Sequence, residues 1–286
     1  MVTSLQGLQS SQSLQGFPRL VGLVSLVSFF MYVYLYDNFL KHRKFSSTIR
    51  TMETRLTDFG IAGKILRLQN FTDPHFLIEE EMRRGASAVV IVGNDQTFGH
   101  VLSRAATCDI LFGFLPVGEE NNTISEVLGI PAGSEACDVL SRRRKVKLDV
   151  GWIANRHRYF ISQLHIPPSD ITVSYDERFR VSGRHHKMEL VVCNLQPFVW
   201  KDVHKKKYVV HPQDGKLEAF LRPMAGRGIV RDKYEEPSVF PFSEMVVKGA
   251  TPFPVEADGK VTKETEIVIR LAKKRIEMIV GRERKF

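Results

Sequence analysis

Cysteine is scarce. Cys108, Cys137 and Cys193 are the only three in 286 residues, and no two stand in a CxxC pair. That excludes a disulfide framework and a cysteine-based zinc cluster, and it fits a reducing compartment, so a cytoplasmic location is expected. Long apolar runs are lacking too. Leu20 to Tyr36 gives seventeen uncharged residues, the lower edge of what spans a bilayer, and Ser25, Ser28 and the tyrosines weaken it further. No small-x-small cleavage site follows it. There is no Ser-His-Asp order, no nucleophile elbow and no internal repeat, and helical periodicity is scarce beyond Arg144.

What is present is a globular composition, 43% hydrophobic and 26% charged, long enough for two compact units. The formal charge of +9 suits an acidic partner: nucleotide phosphate, anionic lipid or nucleic acid. The clusters Arg142–Lys145 and Lys205–Lys207 read either as solvated surface or as a membrane- or phosphate-facing patch. Residues 1–18 carry no charge and are rich in Ser, Gln, Gly and Leu, an unstructured leader. Residues 1–28 are thus a leader or an anchor. Phe29 to Tyr36, aromatic and β-branched, also reads as a buried strand, with Met31 as an alternative start.

From there strands and helices alternate. Helices are expected over 46–59, 72–85, 97–106, 124–128 and 134–143, and strands at 64–68, 88–92 and 110–115. The alternation predicts a doubly wound parallel α/β domain over 29–144. Past Arg144, short strands punctuated by Gly, Pro, Asn and Asp predict a β-sandwich-like domain over 145–286. Residues 222–243 are expected to form a long loop.

Ligands of open parallel sheets bind beyond the carboxyl ends of strands. Two such ends carry polar turns: Gly93-Asn94-Asp95-Gln96-Thr97, and Pro116-Val117-Gly118-Glu119-Glu120-Asn121-Asn122. Their backbone amides can hold phosphate oxygens, although Gly-Asn-Asp is also ordinary turn chemistry. In order along the chain these segments resemble the diacylglycerol kinase, sphingosine kinase and NAD kinase superfamily. The first resembles GGDGT. The second, with Leu128-Gly129-Ile130-Pro131, resembles PLGTGNDFA followed by LGIP. Asn194 with Pro212-Gln213-Asp214-Gly215-Lys216-Leu217 resembles an Asn followed by P-x-DG-x-L, and Pro254 to Lys260 resembles PVxVDGE. The DG-x-L and DG-E segments bring the chain nearer the bacterial lipid-kinase branch.

The resemblance implies an α/β nucleotide-binding half and a β-rich substrate half. It also implies transfer of the ATP γ-phosphate to a lipid hydroxyl with Mg²⁺. Gly93, Asn94, Asp95, Thr97, Gly118 and Asn121 would hold the nucleotide, Asp95 through its Mg²⁺, and Asp214 would be the general base. Asp214-Gly215 also reads as a plain turn. The partners implied are a nucleotide and a lipid or membrane-surface substrate, with no nucleic acid; a homo-oligomer is left open.

The departures are chemical. Asn94 and Gln96 replace glycines that permit close phosphate approach. Glu119-Glu120 replace Thr-Gly, and a carboxylate at about 4 Å from a phosphate costs several kcal/mol unless it gathers Mg²⁺. A non-catalytic nucleotide- or lipid-binding descendant is therefore the alternative reading. His185-His186 reads as surface loop, Trp152 and Trp200 as packing residues, and Gly226-Arg227-Gly228 as loop or anionic-substrate border.

Overall fold

The aromatic run after Phe30 is a central strand of a parallel sheet. β1 (Met31–Tyr36) is buried from Tyr32 onward, because it lies between two neighbours with helices packed on its faces. The computed structural model describes residues 30–69, 72–118, 123–183, 186–195, 210–226 and 233–286. The leader, Glu119 to Asn122, Lys205–Lys207, His185, Trp200 and Arg227-Gly228 lie outside the described residues.

β1 leads to α1 (Ser46–Asp58), β2 (Lys64–Arg67), α2 (Pro74–Arg83), β3 (Ala86–Gly93), α3 (Asp95–Ala105), β4 (Leu111–Pro116), α4 (Thr123–Val127), α5 (Ala136–Arg142) and β5 (Lys145–Leu148). Local chemistry sets these ends. Asp73 caps α2 by accepting from the His75 amide, with Pro74 in the first turn; Asn94 caps α3 by accepting from the Thr97 amide. Arg143, the left-handed C-cap of α5, sends its guanidinium over the Phe30 ring and to the Tyr32 hydroxyl. One member of the basic cluster is therefore a structural clamp.

The second lobe holds β6 (Gly151–Ile153), β7 (Arg158–Phe160), β8 (Gln163–Ser169), β9 (Ile171–Tyr175), β10 (Phe179–Ser182), β11 (Met188–Cys193), β12 (Leu217–Gly226), β13 (Lys233–Tyr234), β14 (Ser238–Phe242), β15 (Glu244–Ala257) and β16 (Lys260–Leu271). The chain closes with β17 (Ile276–Ile279). These strands pair antiparallel, in the order β13-β12-β11-β8-β15-β16-β6-β7, with β9, β10 and β14 beside that path. β15 pairs with β9 through its first half and with β8 at its end, which folds the sheet around one apolar core.

Two sequence expectations change. The first sheet runs β2-β1-β3-β4-β17-β5, so residues 145–148 and 276–279, assigned to the second domain, complete the first; their pairing partners lie over a hundred residues apart, beyond any local pattern. The expected loop at 222–243 contains the end of β12, β13 and β14. Pro241 fits there because, among the described residues, β14 pairs with β12 alone, leaving an edge that tolerates a missing donor. The strand read at Phe29–Tyr36 is β1, which takes the last six residues of the Leu20–Tyr36 run. Among the described residues no helix is long and apolar enough to cross a membrane. Trp152 packs against Tyr159 and the first core, as read.

The chain leaves the first lobe after β5 and re-enters it before β17, and an ion pair joins the two crossings. Arg275 Nε donates to Asp149 Oδ1 at 2.6 Å. The other Asp149 oxygen accepts from the Gly215 amide, which hooks in the Asp214-Gly215 turn. Asp149 is 1% exposed, so Arg275→Met leaves an uncompensated buried charge. Allowing for the partly exposed arginine, a loss of about 2 kcal/mol is expected, read as a lower urea midpoint at unchanged slope. A midpoint equal to the wild type contradicts this role.

Candidate functional site

The order β2-β1-β3-β4 reverses direction between β1 and β3, and the crevice beyond those strand ends is where such sheets take ligands. Asp37 follows β1 and Asn94 follows β3. The Asp37 carboxylate accepts from the Phe39 amide (3.0 Å) and from the Thr97 hydroxyl (2.6 Å), which ties the end of β1 to the first turn of α3. Gly93 is required by proximity, since a Cβ there would lie 2.5 Å from Thr97 Oγ1. Asn94 has extended backbone, φ −99° and ψ −178°, a conformation open to any residue. Replacing the expected glycine therefore costs no strain, and it supplies the helix cap. Gly118, at φ +132°, occupies a region that favours glycine.

Asp95 joins the two turns. One oxygen accepts from the Ile124 amide at 2.9 Å, and the neighbouring Thr123 and Ser125 amides also point at it, so the carboxylate holds the start of α4 from across the crevice. Its other oxygen, Oδ1, is buried without a hydrogen-bond partner among the described residues. Burial pushes the Asp95 carboxyl up to about 6, against the pull of those amides.

The second lobe faces this turn with Asp258. Asp258 and Gly259 both have positive φ, 45° and 78°, the two-residue Asp-Gly hairpin between β15 and β16. The Asp258 carboxylate accepts from the amides of Ile161, Ser162 and Gln163, and burial again pushes it up to about 6. Gly99 of α3 sits against it; a Cβ there would approach the Asp258 Cβ to 3.1 Å. The hairpin thus docks on α3 with its acid beside the crevice.

Two adjoining cavities result. One, of about 180 Å³, is lined by Asp95, Gln96, Thr123, Ser162, His165, Glu256 and Asp258 among others. The other, of about 410 Å³, is lined by Asp37, Asn94, Thr97, His100, Arg104, Arg158, Asp258 and Lys260 among others. The second is cationic on one wall. Burial lowers the His100 pKa, with Arg104 and Lys260 adding to the effect, and burial likewise lowers that of half-buried Arg158. Lys260 stands where the PVxVDGE pattern has its glutamate.

Of the residues singled out from sequence, Gly93, Asn94, Asp95, Thr97 and Gly118 come together here, and Asn121 lies outside the described residues. Asp214 is exposed on the turn anchored by Asp149 and lines neither cavity. Its link to the site is indirect: Asn194 donates to the carbonyls of both Asp149 and Ile161. Beside it, burial and then the Asp214 charge push Glu218 up to about 7. Asp37, Arg104, Arg158 and His165 were not legible as site residues, because tertiary folding alone brings them to the crevice. Asp258 lay within a quoted motif and was given no role.

Residues 33–153 match the family described as diacylglycerol kinase catalytic domain, which agrees with the resemblance carried by the motifs. No curated protein sequence matches the chain. Among solved structures, a diacylglycerol kinase from Bacillus anthracis str. Sterne superposes with a TM-score of 0.69 at 16% identity, covering 90% of this chain and 99% of its own. Another structure from that organism, provisionally assigned as a diacylglycerol kinase, gives 0.70 at 15%, covering 88% and 98%. The fold is theirs: a parallel α/β lobe followed by an antiparallel β-rich lobe.

The two raised carboxyls carry a signed expectation. Asp95 and Asp258 hold their protons to about pH 6, against an ordinary 3.8. Between about pH 4 and 6 the native state binds more protons than the unfolded chain, so their contribution to stability is lost as pH rises through that window. In Asp258→Asn the change in Tm between about pH 4.5 and 7 should shift, with less stability lost on raising the pH than in the wild type. An identical pH dependence contradicts the burial of this carboxylate.

Proposed function

From a first lobe that matches the diacylglycerol kinase catalytic domain, we propose that the chain is a lipid kinase of diacylglycerol type, transferring the ATP γ-phosphate to a lipid hydroxyl between the lobes. One observation carries this reading: Asp95 and Asp258, from different lobes, line one cavity that adjoins a cationic one. Phosphoryl transfer needs little covalent help from protein. It needs positioning and electrostatic stabilisation, and the paired cavities offer both.

The donor set fits the nucleotide and its metal. Arg104, Arg158 and Lys260 suit phosphate oxygens, and the open Oδ1 of Asp95 suits a hard, oxygen-seeking cation. Mg²⁺ bound there would supply neutralisation of phosphate charge. The chain's own residues do the rest. Asn94 and Thr97 fix the first turn of α3, Gly118 gives the second turn its shape, and Asp95 holds α4 in place beside them. Asn121 is assigned to the nucleotide by resemblance. Asp214, the base by the same resemblance, would have to act from a turn outside both cavities.

A second reading, binding without transfer, is favoured by Lys260, an ammonium in a position where the resembled pattern has a carboxylate. The two readings differ in what Lys260→Glu does. For a kinase that uses Lys260 on phosphate, transfer falls; for a chain silenced by that lysine, transfer rises. The direct test is labelled phosphate from [γ-³²P]ATP appearing in diacylglycerol presented in mixed micelles with Mg²⁺. Wild-type transfer, lowered about 100-fold or more in Asp95→Asn, is expected. No labelled lipid from diacylglycerol or from an extracted lipid pool contradicts the kinase reading.

A further inference from the structure

A row of alternating charge crosses four adjacent strands of the second lobe and ends at the smaller cavity. Arg222 of β12 lies directly opposite Glu189 of β11. His165 of β8 is in register with Val191, two residues along the same face of β11, and with Glu256 of β15 on its other side. The contacts follow this order. Arg222 Nε meets Glu189 Oε2 at 2.6 Å, and His165 Nε2 meets Glu189 Oε1 at 2.9 Å. The side chains of Arg222 and Glu189 are 5% and 9% exposed, that of His165 30%. The row is enclosed at the arginine, which also stacks on the Tyr234 ring at 3.7 Å, and its other end, His165 and exposed Glu256, lines the cavity with Asp95.

Resting on the lipid-kinase reading, we propose that His165 is the proton acceptor for the lipid hydroxyl, with Glu189 and Arg222 as its positioning residues. The chemistry follows from the donors. Burial alone would raise Glu189, but hydrogen bonds from His165 and Arg222 outweigh it and hold its carboxyl below the usual range. An ionised carboxylate has no hydrogen to give, so His165 Nε2 donates in that contact, and the acceptor role uses the lone pair at Nδ1 of the ring in its Nε2–H form. Among the described residues Nδ1 makes no hydrogen bond. A purely structural ion pair needs only Arg222. The second carboxylate oxygen is instead spent on orienting a ring at the cavity edge, as a base is oriented by a third group.

In the step this assigns, the lipid hydroxyl oxygen forms the new bond to the γ-phosphorus as the bond to the β,γ-bridging oxygen breaks. That electron pair leaves with the nucleoside diphosphate, and the hydroxyl proton passes to His165 Nδ1. The other charged groups lining the cavity with His165 are Glu256 from β15, Asp95 from α3 and Asp258 from the hairpin. Asp95 is then free to act on the phosphate side, and Asp214 is not required as base.

The test uses the full chain. His165→Ala is expected to lower kcat for transfer to diacylglycerol by about 100-fold, with affinity for a non-hydrolysable ATP analogue within twofold, and added imidazole should restore part of the loss. Glu189→Gln should lower kcat without imidazole rescue, because the ring is still present. Nitrogen-15 NMR of the neutral side chain should find the Nε2–H tautomer in the wild type and a mixture in Glu189→Gln. Transfer by His165→Ala within twofold of wild type, or an Nδ1–H tautomer in the wild type, overturns the assignment and leaves the kinase reading standing. Absence of wild-type transfer overturns the kinase reading, and the catalytic role of His165 with it; the tautomer then reports only whether Glu189 orients the ring.

Discussion

One carboxylate binds the two lobes into a site. Asp258 gathers the amides of Ile161, Ser162 and Gln163, and that fixes the turn into β8. Its own hairpin rests on Gly99 of α3, and that fixes the second lobe against the first. Both cavities therefore share Asp258 as a wall. Leaving three buried amides without an acceptor would cost more than the burial of one acid that protonates easily. The wall is thus built from a group whose charge is itself adjustable.

On the other side Asp95 plays the matching part. It stands at the start of α3 and accepts from the start of α4, so it ties the first polar turn to the helix that follows the second. This geometry changes the meaning of the Asn94 substitution. Asparagine there caps α3 in an ordinary extended conformation, and the turn keeps its shape with glycine lost. The larger cavity carries positive charge from Lys260, Arg104 and Arg158.

Much of this was legible beforehand, for physical reasons that differ by element. β1, β3 and β4 announced themselves as unbroken apolar runs because both faces are covered. The polar turns after β3 and β4 could be placed because sheet topology fixes where ligands go. β5 and β17 could not be assigned to the first sheet, since nothing local records that Lys145 will face Ile279. His165 was invisible for a similar reason. In sequence it is one polar residue in an alternating strand, Gln163-Leu164-His165-Ile166, and it acquires a role only when β11 brings Glu189 beside it. Asp214 shows the converse: a motif match offered it as a base beside a plain-turn reading, while the fold anchors its turn through Asp149, away from the linings of the two cavities.

Hydrogen–deuterium exchange of the wild-type chain, with and without a saturating non-hydrolysable ATP analogue and Mg²⁺, probes the shared cleft most directly. Slowed exchange is expected together at residues 94–100, 123–127, 158–163 and 256–260, drawn from both lobes. Protection confined to one lobe, or none at saturation, would contradict a nucleotide site built between Asp95 and Asp258.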